Sequence, residues 1–241
     1  MLDIVCLTDN EIMSPEFEDA YLRYVAIAFD KQLNLGDLIG NRNWGFDMDS
    51  GLLTFASQGI GDQPIVFDVQ ILGTASEQSS SWLWPWANKS IEENLATDSL
   101  FVSEQAGISE FPHSQFAIDF GQSDEHRITM VSVGILSQLA RCDAYYRGPY
   151  EGGAAFFLLK DSRLQLAPPS ATHIATFFPQ LISSLPLSNH RAAFFGYLEQ
   201  LQVEGQSDGQ NITARIGSSD LTAQFDNLNR LSNLHVVARP T

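Results

Sequence analysis

Two segments of the sequence gather side chains that could bind a ligand. The first is Trp82-Leu83-Trp84-Pro85-Trp86-Ala87-Asn88. Because side chains of an extended chain alternate between two faces, Trp82, Trp84 and Trp86 are expected to share one face, about 7 Å apart. Such a stripe would be a stacking platform for a ring, a cation or an extended peptide. The alternative is that the stripe belongs to the core, with its indole N–H groups hydrogen-bonded to backbone.

The second segment spans residues 142–153, which we predict to be a loop between a helix and a strand. Loops of this composition often line binding sites, although glycine and proline also mark rigid connectors. Asn88, which follows the tryptophan stripe, is interpreted first as a turn or cap residue and only second as a ligand contact. Together the two segments supply the candidate binding residues, which are Trp82, Trp84, Trp86, Asn88, Tyr145, Tyr146, Arg147 and Tyr150.

No catalytic or metal-binding signature is present in the sequence. The five histidines are dispersed, and the spacings typical of zinc sites, nucleophile elbows and phosphate-binding glycine loops do not occur. The triplet Asp124-Glu125-His126 is interpreted as a helix N-terminus, with a metal or acid–base role as the lesser alternative. Cys142 stands next to Asp143, which favours a raised thiol pKa and argues against a reactive thiolate. We therefore predict no catalytic residue, no metal and no cofactor, and an enzymatic activity is not favoured.

The charge balance restricts the partners. The 241 residues include 13 lysines and arginines against 29 acidic residues, a net charge of −16. Such a surface repels phosphate backbones and anionic lipid headgroups, which argues against DNA, RNA and membrane surfaces as partners. A basic protein or a cation is the more plausible partner, unless the charge serves solubility alone. The sequence leaves the oligomeric state open.

Location is indicated by the cysteines and the N-terminal segment. Cys6 and Cys142 are interpreted as free thiols in a reducing compartment, since two cysteines do not form a disulfide framework in a chain of this size. The first residues lack the basic region of a signal peptide, and no apolar run reaches roughly 18 residues. A cytoplasmic location is the resulting prediction.

Periodicity predicts an α+β fold, with an antiparallel sheet packed against several helices. Ser14-Pro15-Glu16 is typical of a helix start, and Gly36 is expected to end that helix. Pro85 cannot donate to a strand ladder, so its strand is predicted to lie at a sheet edge or a bulge. A single domain over 1–241 is expected, with 1–107 and 124–241 as possible halves. The predicted strands lie near 43–47, 52–56, 64–74, 81–87 and 154–159, with a C-terminal hairpin at 211–226.

Several of these segments resemble a bacterial family of domains of unknown function. The resemblance rests on Gln70-Ile71-Leu72-Gly73-Thr74 followed by Ser81-Trp82-Leu83-Trp84-Pro85-Trp86-Ala87-Asn88, with weaker similarity at 51–55 and 146–149. It covers roughly residues 40–200, and Pro85 departs from the small residue expected at its position. The resemblance implies no catalytic residues, and only a weak indication of an immunity-type or interaction role.

Three hypotheses follow. The first is a non-enzymatic interaction protein of immunity or regulatory type, which uses an acidic surface against a basic partner. The second is a small-molecule binder or enzyme with a pocket between the Trp82/Trp84/Trp86 strand and the 143–153 loop. A purely structural subunit, with the tryptophan stripe as core, is a third possibility.

Overall fold

The computed structural model describes residues 13–239, and its helices and antiparallel sheets confirm the α+β class. The described residues form two units, one made of residues 13–18 and 31–165 and the other of residues 19–30 and 166–239. The expected single domain with halves at 1–107 and 124–241 stays a prediction. No helix within residues 13–239 is long and apolar enough to cross a membrane. Cys6 and the N-terminal segment considered above lie outside the described residues.

The first helix, α1 (Pro15–Ile39), begins as predicted and contributes to both units. The Ser14 hydroxyl accepts a hydrogen bond from the Phe17 N–H at 3.3 Å, and proline occupies the first helical position. The helix continues past Gly36, where the sequence predicted its end. It ends at Gly40, whose φ of 54° is a conformation that glycine adopts without steric cost.

The first unit is built around one curled antiparallel sheet. Its strand order is β1-β2-β3-β4-β5, with β7 also paired to β3 and β6 paired to β7. The strands predicted near 43–47, 52–56, 64–74 and 154–159 are confirmed. The elements are β1 (Trp44–Asp47), β2 (Leu52–Phe55), β3 (Ile65–Ser76), β4 (Ser81–Leu83), α2 (Thr97–Gln105), β5 (Gln115–Ala117), α3 (Asp124–Gln138), β6 (Ala144–Tyr150) and β7 (Gly153–Leu159).

The tryptophan segment is a strand only in its first part. Strand β4 ends at Leu83, and Pro85–Ala87 forms a short 3₁₀ helix. Trp82 pairs with Ala75 of β3 on one side and with Phe116 of β5 on the other, so the predicted edge position is wrong. Because Pro85 stands beyond the ladder, its missing N–H costs no strand hydrogen bond.

The segment predicted to be a loop at 142–153 contains strand β6 instead. Ala144–Tyr150 pairs with Gly153–Leu159 as a hairpin, and the turn residue Gly152 has a φ of 82°. Among the described residues β6 pairs only with β7, and such an edge position tolerates Pro149. The glycines and the proline that suggested a loop thus belong to an edge strand and its turn.

One face of this sheet carries an apolar core. It contains buried side chains from β2, β3 and β7 that pack with the end of α1. Phe55 is fully buried, and its ring meets that of Phe67 edge-on with 6.0 Å between centroids. Alternating residues of each strand supply this face, as the period of two in an extended chain requires.

The second unit combines a helical layer with a four-stranded antiparallel sheet of order β11-β10-β9-β8. The predicted hairpin at 211–226 is confirmed by β9 and β10, whereas β8 and β11 were not predicted. The Phe194 ring lies 4.9 Å from that of Phe178 and 6.0 Å from that of Phe225, which joins helices to sheet. The elements are α4 (Ala171–Ser184), α5 (His190–Gln200), β8 (Gly205–Ser207), β9 (Asn211–Ile216), β10 (Ser219–Phe225) and β11 (Leu231–Ala238).

Candidate functional site

Strand β6 divides the candidate binding residues between the two faces of its sheet. Tyr145 and Arg147 share one face because they are two residues apart, and Tyr146 lies on the other. The Tyr146 ring packs against the apolar core, with its centroid 4.8 Å from that of Phe55. Tyr150 ends the strand with 50% of its surface exposed. The structure therefore separates residues that the sequence placed in one loop.

The face that carries Arg147 also carries Trp82. Arg147 pairs with Phe156 of β7, and the Phe156 ring centroid lies 5.2 Å from that of Trp82. A Cβ atom at Gly73 of β3 would stand only 2.1 Å from the Trp82 indole. Because Gly73 has no side chain, the indole has room at this position. A row of side chains therefore runs across the sheet from Arg147 through Phe156 to Trp82.

Helix α3 brings two more ionisable side chains to this row. Glu125 and His126 lie in its first turn, and the Nδ1 atom of His126 is 3.2 Å from the Tyr145 hydroxyl. The His126 ring meets Phe156 edge-on at 5.9 Å, and its Nε2 atom is 4.0 Å from a carboxylate oxygen of Glu125. We call Glu125, His126, Tyr145 and Arg147 the polar cluster.

Burial controls the ionisation of the polar cluster. It raises the pKa of the Glu125 carboxyl. The charge of Arg147 offsets part of this rise, whereas the charges of Asp124 and Glu77 add to it. Burial also lowers the pKa of His126 to about 4, and the nearby Arg147 charge adds to this effect. His126 is therefore neutral at pH 7 and can both donate and accept a hydrogen bond.

Two atoms of the polar cluster have no hydrogen-bond partner among residues 13–239. They are Oε2 of Glu125 and Nε of Arg147, and both are buried. Glu125 is only 5% exposed. Buried polar groups in folded proteins are nearly always hydrogen-bonded, since an unpaired one costs free energy. An acceptor and a donor without partners leave room for a water, an ion or a ligand to complete their hydrogen bonds.

Arg147 also stands out from most cations of the chain. Of the 13 lysines and arginines, ten form ion pairs with carboxylates. In the part of the chain that the structure describes, the three that form none are Lys89, Arg147 and Arg191. Lys89 is exposed, whereas both arginines have a buried Nε atom without an acceptor. In a protein with a large acidic excess, unpaired guanidinium groups mark positions where an external anion can bind.

The tryptophans are largely core residues. Trp82 and Trp84 are fully buried, and their rings meet edge-on with 5.6 Å between centroids. Trp84 also packs at 5.2 Å from Phe111, while Trp86 is half-buried in the 3₁₀ helix. The indole N–H groups of all three are buried with no acceptor among the described residues, in contrast to the backbone hydrogen bonds expected for a core stripe. Because the strand stops at Leu83, the three rings do not form one continuous stripe.

Asn88 and Cys142 have local roles. The Asn88 side chain accepts a hydrogen bond from the Ser90 N–H at 3.0 Å, the turn geometry expected for it. Cys142 is fully buried, and its thiol donates to the Ala144 carbonyl at 3.1 Å. Burial raises the pKa of that thiol to about 12, and the charge of Asp143 is a smaller cause. No group of three His, Cys, Asp or Glu side chains within residues 13–239 is arranged to hold a metal ion.

The structure adds the start of α3 to candidates from the two segments singled out in the sequence. Trp82, Tyr145 and Arg147 lie on one face of the sheet, against which α3 places Glu125 and His126. The sequence indicates these two first as a helix N-terminus, with a metal or acid–base role as the lesser alternative. The signal for these two residues was the dense polar triplet at the start of α3. Its importance could not be read from the sequence, because only the packing of α3 on the sheet shows that Glu125 is buried.

One comparison with known proteins gives a match. The model of a family of unknown function (DUF6882) matches residues 18–162, more than half of the chain. No curated protein and no solved structure matches the chain. The matched segment includes every residue of the polar cluster and of the tryptophan segment.

Proposed function

Since the chain belongs to DUF6882, a family of unknown function, we propose from its own geometry that it binds a small zwitterionic molecule at the polar cluster. The ligand places an anionic group against Arg147 and a protonated amine or other donor against Glu125. This proposal corresponds to the small-molecule alternative drawn from the sequence. It requires no catalytic step.

A single observation carries the proposal. Glu125 Oε2 is a buried acceptor and Arg147 Nε a buried donor, and neither has a partner among the described residues. The two side chains do not form an ion pair with each other, although their charges interact. A ligand with opposite charges at its two ends satisfies both groups at once.

The other groups of the cluster fit this ligand class. The guanidinium of an arginine matches the two oxygens of a carboxylate. A neutral His126 beside the Tyr145 hydroxyl adds a polar contact without adding charge. Phe156 and Trp82 lie on the same face but are fully buried, so the polar side chains supply the ligand contacts.

The test is a thermal-shift screen of free amino acids and dipeptides, followed by calorimetry on the compounds that stabilise the protein. A ligand that binds only the folded state raises Tm, and the rise grows with the logarithm of the ratio of free ligand concentration to Kd. Arg147→Gln is expected to weaken binding at least about 10-fold, because a charge-assisted hydrogen bond is lost.

Lys89→Gln is the matched control, since it removes one unpaired positive charge at an exposed position of the same unit. It is expected to leave binding unchanged. A ligand that lacks either its amine or its carboxylate should bind more weakly to both the unmodified protein and Lys89→Gln. The proposal fails if no compound of the panel binds, or if Arg147→Gln binds as tightly as the unmodified protein.

A second candidate is an interaction protein of immunity or regulatory type, acting in the bacterial cytoplasm on a basic partner. Its support is the net charge of −16 together with three exposed aspartates at one end of the first sheet. The register sets Asp47 beside Leu52 and Leu52 beside Asp68, and Asp49 lies in the adjoining turn. Charges this close together attract a cationic partner most strongly at low salt.

A lysine-rich peptide of defined length is the probe for this second candidate. Replacing Asp47, Asp49 and Asp68 together by Asn should weaken its binding and flatten the salt dependence. The control replaces three other exposed acids of the same unit, Glu92, Glu93 and Glu104, by Gln. If both triple variants lose peptide binding equally, net charge alone explains the loss, and the three aspartates do not form a specific binding surface.

A further inference from the structure

We propose that the second unit carries another binding site, a cavity beside α5 that takes a small monocarboxylate with an apolar tail. The cavity has a volume of about 330 Å³, which is within the range of small-molecule sites. It is independent of the polar cluster, because none of its lining residues belongs to the first unit. The lining residues are Asn189, Arg191, Ala192, Phe195, Ser207 and Ile212.

Arg191 supplies the charge of this site. Its Nη2 atom donates to the Ser207 hydroxyl at 2.5 Å, which fixes the guanidinium against β8. Its Nε atom is buried and has no acceptor within residues 13–239. No carboxylate of that part of the chain forms an ion pair with Arg191, although acids outnumber basic residues by 29 to 13. The guanidinium is thus held in position while its donors lack an anion.

The end of α5 does not itself supply the donors. The Arg191 backbone N–H donates to the Asn229 carbonyl at 3.1 Å. The Ala192 N–H donates to the Asn189 side chain at 2.9 Å. Anion recognition therefore depends on the arginine side chain, which a substitution can remove without disturbing the helix cap.

The remaining wall of the cavity is apolar. Ala192, Phe195 and Ile212 line it, and Phe195 is a large aromatic side chain with 38% of its surface exposed. An exposed ring beside an unpaired guanidinium suits a ligand with one charged end and one hydrocarbon end. A carboxylate fits better than a phosphate dianion, since one arginine offsets one charge and the protein as a whole repels anions.

The probe is hexanoate, with hexanol as the same tail without its charge. Calorimetry is expected to show binding of hexanoate, and binding of hexanol at least about 10-fold weaker because the charge-assisted hydrogen bonds are absent. Arg191→Gln should weaken hexanoate binding to a similar extent. Arg215→Gln, which removes an exposed and ion-paired arginine of the same unit, should leave it unchanged.

A second measurement does not depend on any variant folding. In the unmodified protein, the Nε–H resonance of Arg191 in an NMR spectrum should shift as hexanoate is added, and the resonance of Arg215 should not. Absence of hexanoate binding, equal binding of hexanol, or a shift shared by both arginines would each overturn the proposal. Failure here leaves the proposal for the polar cluster untouched, because the two sites share no residue. If hexanoate does bind, Arg147→Gln is expected to bind it as the unmodified protein does.

Discussion

Glu125 is the residue at which a binding role and a structural role predict opposite results. Its carboxylate is buried and one oxygen lacks a partner, so it costs free energy of folding while it is charged. We predict that Glu125→Gln raises the free energy of unfolding by about 1–2 kcal/mol at pH 7, because a neutral amide costs less to bury than a carboxylate. Urea unfolding of the two proteins measures the difference.

The pH dependence of that gain has a definite sign. Burial raises the pKa of Glu125, so the folded state favours the protonated carboxyl. Its contribution to stability is complete below the unfolded-state pKa and is lost as pH rises through the higher folded-state pKa. The gain from Glu125→Gln should therefore disappear in acid.

Glu104→Gln, at an exposed position, is the control and should change stability by less than about 0.5 kcal/mol. A loss of stability in Glu125→Gln at pH 7 would favour a structural role.

His126 responds to pH in the opposite direction. Its pKa is lowered to about 4 by burial and by Arg147, so the folded state holds the neutral ring. The stability gained from burying the neutral ring is complete above the unfolded-state pKa of roughly 6.5. It is lost as pH falls toward the folded-state pKa of about 4. We predict that His126→Gln loses less stability than the unmodified protein between pH 7 and pH 5, as measured by chemical denaturation.

The pH slopes of stability of the two proteins can differ by at most about one proton taken up on unfolding. We expect a smaller difference, because the His126 side chain is 37% exposed and solvent screens it. Comparing two proteins at each pH cancels the titration of Glu125 and Asp124. Parallel pH profiles for the two proteins would show that His126 is not held neutral by the fold.

At the scale of elements, the contact between β3 and β4 depends on a missing side chain. A Cβ atom at Gly73 would collide with the fully buried Trp82 indole. We predict that Gly73→Ala lowers the free energy of unfolding by about 1–3 kcal/mol, since overpacking forces strands or rings to move. Gly36→Ala is the control: it lies inside α1 with nothing within 4 Å and should stabilise by about 0.5–1 kcal/mol. Equal changes in the free energy of unfolding for Gly73→Ala and Gly36→Ala would contradict the close packing of Trp82 against Gly73.

The same scale shows where sequence patterns failed. Gly148, Pro149 and Gly152 suggested a loop, but an edge strand with a tight turn accommodates all three. Pro85 suggested an edge strand, but the chain leaves the sheet just before it. Both errors share one cause. Glycine and proline report local backbone constraints, whereas strand pairing depends on partners distant in sequence.

At the scale of the whole molecule, the acidic excess acts on stability. Ten cations are already paired, so a surplus of unpaired carboxylates repel one another across the surface. We predict that Tm rises by about 2–4 °C as salt is added at neutral pH, which for a chain of this size corresponds to roughly 1 kcal/mol. Circular dichroism in sodium chloride and in potassium chloride measures the change.

Equal shifts in the two salts at equal ionic strength would identify screening as the cause. A fall in Tm would show instead that the ion pairs contribute more than the repulsion. Exposed pairs contribute little, so the rise is the expected outcome.

Residue patterns were enough to predict the α+β class, the start of α1, most strands of the first sheet and a resemblance to a family of unknown function. These depend on local periodicity, capping and residue type, which are written in short stretches of chain. The acidic charge is likewise a property of composition. The tryptophan segment was recognised from its spacing alone, although its division into a strand and a 3₁₀ turn was not.

The surroundings of the tryptophans, the tyrosines and the polar triplet could be seen only in the tertiary structure. Alternation along β6 separates Tyr146 from Arg147, and the packing of α3 buries Glu125 where the charge of Arg147 acts on it. Burial and the absence of a partner depend on which distant segments meet. Neither Arg147 nor Arg191 could be distinguished from the other cations until ten of those cations were seen to have carboxylate partners.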